Sequence, residues 1–129
     1  MCEPKTIDVS AIEDRYRELT GVVPPSIAER IRLNVLSGRE ASMVQVEELR
    51  DQLIMNNPLD RKTAQLIHFA QLLALKEEAA SLHAGAAKKA GATLAEFIGV
   101  VELSLITGGL PAYSRGIAII GALFRDENP

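Results

Sequence analysis

Two histidines, a glutamine, a glutamate and an arginine are the side chains of this sequence that together could do acid/base chemistry. The glutamate, Glu102, and the arginine, Arg115, each interrupt an apolar stretch, and charged groups that are buried among apolar residues normally need partners. Histidine gains or loses a proton near neutral pH, and arginine holds carboxylates through paired hydrogen bonds. Side chains of these types could together transfer a proton and hold a carboxylate.

The distances of these residues from three turn signals predict that they meet. If the helices flanking the turns near Lys76, Gly91 and Gly108 run antiparallel, one level of a helical bundle collects all five. They are His68, His83, Glu102, Arg115 and, one turn before His68 on the same helix face, Gln65. A structural alternative stays open for each: the charged pair points to solvent or forms an ion pair, and the histidines are hydrogen-bonded core residues.

The same residues argue against a metal site and a phosphate site. The two histidines lack the short spacing of paired helical ligands, and no cysteine cluster or His-Glu-x-x-His run supplements them. The Gly108-Gly109 pair is followed by Leu-Pro, whereas a phosphate-binding loop continues with Lys-Ser or Lys-Thr. We therefore expect no metal and no other cofactor.

Composition predicts one globular domain over residues 1–129. The chain is 47% hydrophobic and 24% charged, and its net charge of −3 without tryptophan supplies neither a basic stripe nor stacking platforms for nucleic acid. The single cysteine, Cys2, excludes an internal disulfide. The N-terminus lacks the apolar core of a signal peptide, and no charge-free apolar run approaches the roughly 18 residues of a membrane span. We expect a cytoplasmic protein that binds neither nucleic acid nor membrane.

Periodicity and turn residues predict about seven helices and no strand. The helix over 41–55 places Glu47 on its polar side, with Glu48, Arg50 and Asp51. The helix over 61–75, capped by Asp60, is apolar nearly all round, so we expect both its faces to be covered, in the core or in a subunit interface. Short loops favour sequential antiparallel packing, and hence an all-α, compact bundle.

The last part of the chain is predicted to form two helices. Thr93, three residues before a glutamate, is the capping-box pattern that opens a helix over 94–106. The Gly108-Gly109 pair predicts a break, and Pro111 suits the first turn of a final helix that ends near residue 124.

The stretch HAGAAKKAGATLAEFIGVVELSLITGGLPA, from His83 to Ala112, resembles the carboxymuconolactone decarboxylase family and its relatives, the AhpD-like alkylhydroperoxidases. The matching residues are His83, Gly91-Ala92-Thr93, Glu96, Gly109 and Pro111-Ala112, together with the turn that begins at Gly21 and the loop Leu59-Asp60-Arg61-Lys62. The resemblance implies an AhpD-like helical bundle that is oligomeric, as a trimer or hexamer.

Several positions depart from the family pattern. The peroxidase branch has cysteines seven and four residues before the histidine, where this chain has Lys76 and Ala79, so the thiols of a peroxidase are missing. That branch also has a core-helix glutamate about nineteen residues before the histidine. Here Ala64 stands at that offset with Gln65 beside it, and glutamine cannot accept and return a proton. A tyrosine often found two residues before the family glycine is Thr107.

Two functions of different class follow. The first is a cofactor-free lyase or isomerase for a small carboxylate or lactone, in which His83 shuttles a proton, Arg115 holds a carboxylate and Glu102 orients one of them. Gln65 belongs to the catalytic group of this predicted site and His68 to its substrate-binding group. The second function is a non-catalytic oligomer that binds a small molecule or a partner. Alkylhydroperoxidase activity is a third, for which the thiols are absent.

Overall fold

The computed structural model describes residues 9–127, and every regular element in that range is an α-helix. The helices are α1 (Ser10–Thr20), α2 (Pro25–Leu36), α3 (Glu40–Met55), α4 (Arg61–Ala74), α5 (Ala79–Lys89) and α6 (Leu94–Leu123). The predicted all-α class is confirmed. The chain divides into two compact units between Asn57 and Pro58. A single domain over residues 1–129 stays a prediction, and Cys2 lies outside the described residues.

The described chain has six helices, so the prediction of about seven is wrong. The difference lies in α6, where Gly109 has φ 78° and ψ −176°. Glycine adopts this backbone conformation without steric cost, and one such residue changes the direction of the chain without a loop. The predicted break is therefore a kink inside one element, and Pro111 lies within α6.

The two segments of α6 fold back on each other at this kink. A Cβ atom added to Gly116 would lie 2.6 Å from Cγ2 of Val101. A straight helix would hold these two positions roughly 22 Å apart, at 1.5 Å per residue. The residue with the left-handed backbone thus turns one long apolar sequence into a helical hairpin.

By length and composition alone, α6 is long and apolar enough to cross a membrane. It has 30 residues, and its most apolar stretch has a mean hydropathy of 1.4 with 17% of that stretch buried. The kink at Gly109 leaves two segments, each shorter than the about 20 residues that a spanning helix needs.

The first unit packs α1, α2 and α3 around a small apolar cluster. Its buried members are Ile12, Tyr16, Ile27 and Met43. The first helix ends at Thr20, and the next residue, Gly21, has φ 88° and donates its N–H to the carbonyl of Arg17.

The second unit packs α4 against both α5 and α6. Asp60 caps α4 by accepting a hydrogen bond from the N–H of Thr63, and Thr93 opens α6 with the predicted capping box. Two phenylalanines and one leucine in the core of this unit have no exposed surface. They are Phe69, Phe97 and Leu73. Ile67 on α4 is 42% exposed in the single chain, so the expectation that both faces of this helix are covered, in the core or in a subunit interface, stays a prediction.

Close packing inside the α6 hairpin predicts that Gly116 tolerates no larger residue. An alanine Cβ there would also lie 3.0 Å from Cδ2 of Leu73, so we expect Gly116→Ala to lower the free energy of unfolding by about 1–3 kcal/mol. The matched control is Gly121→Ala in the same helix, where nothing lies within 4 Å and alanine should stabilise by about 0.5–1 kcal/mol. Urea denaturation of both variants checks this, and equal effects would contradict the packing.

Candidate functional site

Three of the five predicted site residues meet between α4 and α5. Nδ1 of His83 lies 2.7 Å from Oε1 of Gln65, and both side chains are buried, with 3% and 1% of their surface exposed. The ring of His68, one turn after Gln65 on α4, stacks on the ring of His83 with 3.9 Å between centroids and a tilt of 39°. The sequence therefore correctly predicted that these three side chains converge.

The turn and the small residues of α5 bring the three side chains together. Lys76 has φ 62°, the only positive φ of a non-glycine residue in the described chain, and the next N–H bonds back to the carbonyl of Leu72 at 2.9 Å. On α5, alanines flank His83 on the buried face, at Ala80, Ala84 and Ala87. Small side chains let two helices approach closely, so the longer Gln65 and His83 side chains can reach across.

The hydrogen bond to Gln65 determines which nitrogen of His83 carries a proton. The oxygen of a glutamine amide only accepts, so Nδ1 must be the donor. In the neutral ring the lone pair then belongs to Nε2, and Nε2 is the atom that can accept a further proton. Gln65 thus orients a histidine in the tautomer that a general base requires.

Stacking makes the charges of the two imidazoles interdependent. Two unit charges about 4 Å apart repel by about 1 kcal/mol in water and about 4 kcal/mol at the effective dielectric of a protein surface. The ring centroids of His68 and His83 are 3.9 Å apart. The stack therefore disfavours the state in which both rings are protonated.

Glu102 and Arg115 do not join this cluster in the chain described here. Both side chains are exposed, and no ion pair joins them among residues 9–127. The prediction that one level of the bundle collects all five residues is wrong for these two. Glu102 follows the buried Val101 by one position, about 100° round the helix, and Arg115 precedes the buried Gly116 in the same way.

Apolar neighbours were a poor guide to burial in α6. Leu103 and Ile106, which flank Glu102 on the side of the kink, are themselves 67% and 81% exposed. A charged residue in an apolar sequence is therefore not necessarily buried in the folded monomer. The catalytic and substrate-binding roles assigned to Glu102 and Arg115 stay predictions.

An open groove lies on another side of α4, between α4 and α6. Its volume is about 240 Å³, and it is lined by Ala70, Gln71, Ala74, Leu103, Ser104 and Thr107. Neither histidine lines it, so the groove and the histidine pair are separate features of the second unit.

A polar cluster in the first unit was missed from the sequence. Glu47 is only 3% exposed, and its carboxylate accepts hydrogen bonds from the hydroxyl of Tyr16 at 3.0 Å and from Nη1 of Arg30 at 2.7 Å. The guanidinium of Arg50 lies 4.7 Å from the centre of the Tyr16 ring. The sequence placed Glu47 on a polar helix face. Its spacing of one helical turn from the buried Met43 was the signal that could have predicted its burial.

The environment of Tyr16 gives a prediction for alkaline pH. Burial raises the pKa of Tyr16 above 10.0, the positive charge of Arg50 opposes the rise, and the carboxylate of Glu47 adds to it. Between pH 10.0 and this raised pKa, the unfolded chain releases a proton that the folded chain keeps. The contribution of Tyr16 to stability is therefore complete below pH 10 and is lost as the pH rises through the folded pKa.

The absorbance of tyrosinate measures the pKa of Tyr16 directly in the variant Tyr113→Phe, in which Tyr16 is the one tyrosine of the chain. We expect the folded protein to ionise at higher pH than the same protein in denaturant. In Glu47→Gln, which removes the negative charge, the folded and denatured proteins should ionise at more similar pH values. A folded midpoint equal to the denatured one would contradict the burial and hydrogen bonding of Tyr16.

The model of the carboxymuconolactone decarboxylase family matches residues 40–121, which is more than half of the chain. The chain therefore belongs to the carboxymuconolactone decarboxylase family, as the resemblance predicted. The matched range runs from the start of α3 into the second segment of α6 and includes Gln65, His68 and His83. No curated protein and no solved structure matches the chain.

The structure shows what replaces the residues that depart from the family pattern. Lys76 and Ala79, at the cysteine offsets, are exposed at the α4–α5 turn. The side chain that reaches the histidine belongs to Gln65, eighteen positions before it, and not to Ala64 at the glutamate offset. An amide therefore contacts the histidine in this protein, and it holds the ring without exchanging protons with it.

Proposed function

We propose that this protein is a cofactor-free lyase or isomerase that acts on a small carboxylate or lactone by general acid/base catalysis. The observation that carries the proposal is the 2.7 Å hydrogen bond from Nδ1 of His83 to Oε1 of Gln65. A buried imidazole with its tautomer held by a neutral amide has the requirements of a proton shuttle, because Nε2 accepts a proton and later returns it.

The proposed chemistry needs only proton movement. In an isomerisation, Nε2 of His83 takes a proton from a carbon next to a carbonyl and returns it to a different carbon. In a decarboxylation, carbon dioxide leaves without its bonding electron pair, and the electron-rich carbon that remains takes a solvent proton that is relayed through Nε2 of His83, so that His83 is neutral before and after the step. His68 is the residue that we assign to the substrate carboxylate. Gln65 is a positioning residue, which acts through His83.

Other parts of the proposal come from the sequence. Arg115 would hold the substrate carboxylate, and Glu102 would orient His83 or Arg115, in an assembly that makes these exposed side chains part of a site. A cytoplasmic location is also part of this proposal. We expect small molecules as partners, rather than nucleic acids or membranes.

The alternative is a non-catalytic, oligomeric member of the family, and exposed apolar residues on α6 favour it. Leu103, Ile106 and Leu110 are 67%, 81% and 66% exposed. Large exposed apolar patches mark interaction sites. Assembly into a trimer or hexamer would cover these residues.

Assembly predicts a strong effect of one charge on this surface. We expect Ile106→Asp to shift the protein towards the monomer, because an interface excludes an unpaired carboxylate. Light scattering after size-exclusion chromatography measures the mass, and Glu102→Gln is the control for a change at a neighbouring exposed position. A wild-type monomer, or an assembly that Ile106→Asp leaves intact, would contradict the use of this surface.

A substrate screen tests the enzymatic proposal. Small lactones and small carboxylic acids are incubated with the purified protein, and carbon dioxide release and isomerisation are followed by NMR. Turnover that is lost in His83→Ala supports the proposal. No turnover across the panel, together with an intact oligomer, favours the non-catalytic alternative. Hydroperoxide turnover that persists in Cys2→Ser would instead support a peroxidase that does not use the thiol of Cys2.

A further inference from the structure

The two stacked histidines lie in different surroundings. His83 is 3% exposed and donates its Nδ1–H to the neutral amide of Gln65, whereas His68 is only partly buried. Burial disfavours the charged form of an imidazole, and an amide oxygen compensates a positive charge less than a carboxylate does. A positive charge on the pair is therefore more stable on His68, the ring that water reaches.

The contact between the rings strengthens this asymmetry. With 3.9 Å between the centroids, a proton on His68 makes a second proton on His83 unfavourable. The tilt of 39° and the short centroid distance describe a stack, since two imidazoles that share an N–H···N hydrogen bond have more distant centroids. The rings are therefore stacked, and a charge on one ring affects the other.

We infer that the pair divides two tasks: His68 carries the positive charge and holds an anionic carboxylate, while His83 stays neutral, with its proton on Nδ1, as the base. The assignment of His83 as the base rests on the proposed function. The distribution of charge between the rings does not, since it follows from burial, stacking and the Gln65 hydrogen bond.

The charged groups of the helices around the pair are exposed or half-buried. Lys62 pairs with Glu96 at 3.0 Å, and Nζ of Lys88 lies 4.5 Å from the centre of the Phe124 ring. Further exposed charges on α4, on α5 and the turn before it, and on α6 belong to Arg61, Lys76, Glu77, Glu78, Lys89, Glu102 and Arg115. Water and salt screen exposed charges, so the burial of His83 and the stack dominate the balance.

NMR of the imidazole nitrogens and carbons tests the inference without a substrate. The chain has two histidines, so His68→Asn assigns both sets of signals. Between pH 5 and pH 8 we expect the His68 ring to titrate and the His83 ring to keep the neutral pattern with its proton on Nδ1. In His68→Asn, protonation of His83 should move to higher pH by about 1 unit, because the neighbouring charge is gone.

Two further measurements separate the parts of the inference. In Gln65→Glu, a carboxylate replaces the amide, so the charge should move to His83. Sodium acetate, added at constant ionic strength, should shift the His68 signals of the wild type and leave those of His83 nearly unchanged. Acetate that shifts neither ring would overturn the role of His68 in binding a carboxylate.

The outcomes distinguish this inference from the proposed function. If His83 takes the first proton in the wild type, or if both rings titrate with one midpoint that His68→Asn does not move, the division of tasks is wrong whatever the activity. If the predicted charge pattern is found and the lactone and carboxylate panel is not turned over, the inference about charge stands and the proposed function fails.

Discussion

Replacement of His83 by alanine is expected to lower turnover of the lactone or carboxylate substrate by about 10²- to 10⁴-fold. Nε2 of His83 is the atom to which we assign proton transfer, and alanine offers no group that can replace it. Initial rates of carbon dioxide release or isomerisation, with wild type and variant at equal folded concentration, measure the loss. Rates within a few-fold of wild type would remove His83 from the mechanism.

His83→Asn separates the loss of chemistry from the loss of structure. Alanine leaves the buried Gln65 amide without its partner, which costs about 1–3 kcal/mol of stability, whereas an asparagine amide has N–H groups to donate to it. Asparagine cannot shuttle a proton, so its activity should fall as far as that of alanine while its stability falls less. Lys89→Ala, an exposed change at the end of the same helix, should keep wild-type turnover.

Replacement of Phe97 by alanine is expected to lower the free energy of unfolding by about 3–5 kcal/mol. Its ring has no exposed surface and makes edge contacts with Phe69 and Phe124, at centroid distances of 5.8 Å and 5.7 Å. Removal of the ring takes away apolar burial and both aromatic contacts, and it leaves a cavity in the packed core of the second unit. Urea denaturation followed by circular dichroism measures the change.

Two further variants are needed because the loss expected for Phe97→Ala is large. Natural domains have a free energy of unfolding of about 5–15 kcal/mol, so Phe97→Ala removes a large share of it. Phe97→Leu should remove less, and it measures the effect of the ring if the alanine variant does not fold. Leu36→Ala is the exposed control: its side chain is 73% exposed, and the change should stay within about 0.5 kcal/mol. A Phe97→Ala loss as small as that of the control would contradict the core assignment.

Local signals in the sequence predicted the starts of α4 and α6 correctly and the path of the chain less well. Asp60 and Thr93 cap their helices as predicted, because a cap depends on a few neighbouring residues. The Gly108-Gly109 signal located the break correctly, but its outcome was a kink with φ 78° at Gly109 instead of a loop. A pair of glycines permits both conformations, and the packing of Val101 against Gly116 is a tertiary contact that local sequence does not contain.

The candidate site was predictable where helical spacing decides the geometry. Gln65 and His68 share a face of α4 because they are three residues apart, and the short turn at Lys76 brings His83 to the same level. Glu102 and Arg115 were placed only by their position along the helix axis, counted from the turns. That position does not give the rotation of the helix, which decides whether a side chain faces the core or the solvent. Glu47 was missed for the related reason that its burial depends on Tyr16 and Arg30 from two other helices.

Exchange of substrate hydrogen with solvent tests the central claim, that His83 held by Gln65 transfers protons, most directly. Small lactones and carboxylates that have hydrogen next to a carbonyl are incubated in heavy water with wild type, His83→Asn and Lys89→Ala, and NMR follows deuterium uptake into carbon. The account predicts deuterium uptake with wild type and Lys89→Ala and a loss of uptake of about 10²-fold or more in His83→Asn. Uptake at the wild-type rate in His83→Asn would contradict the account.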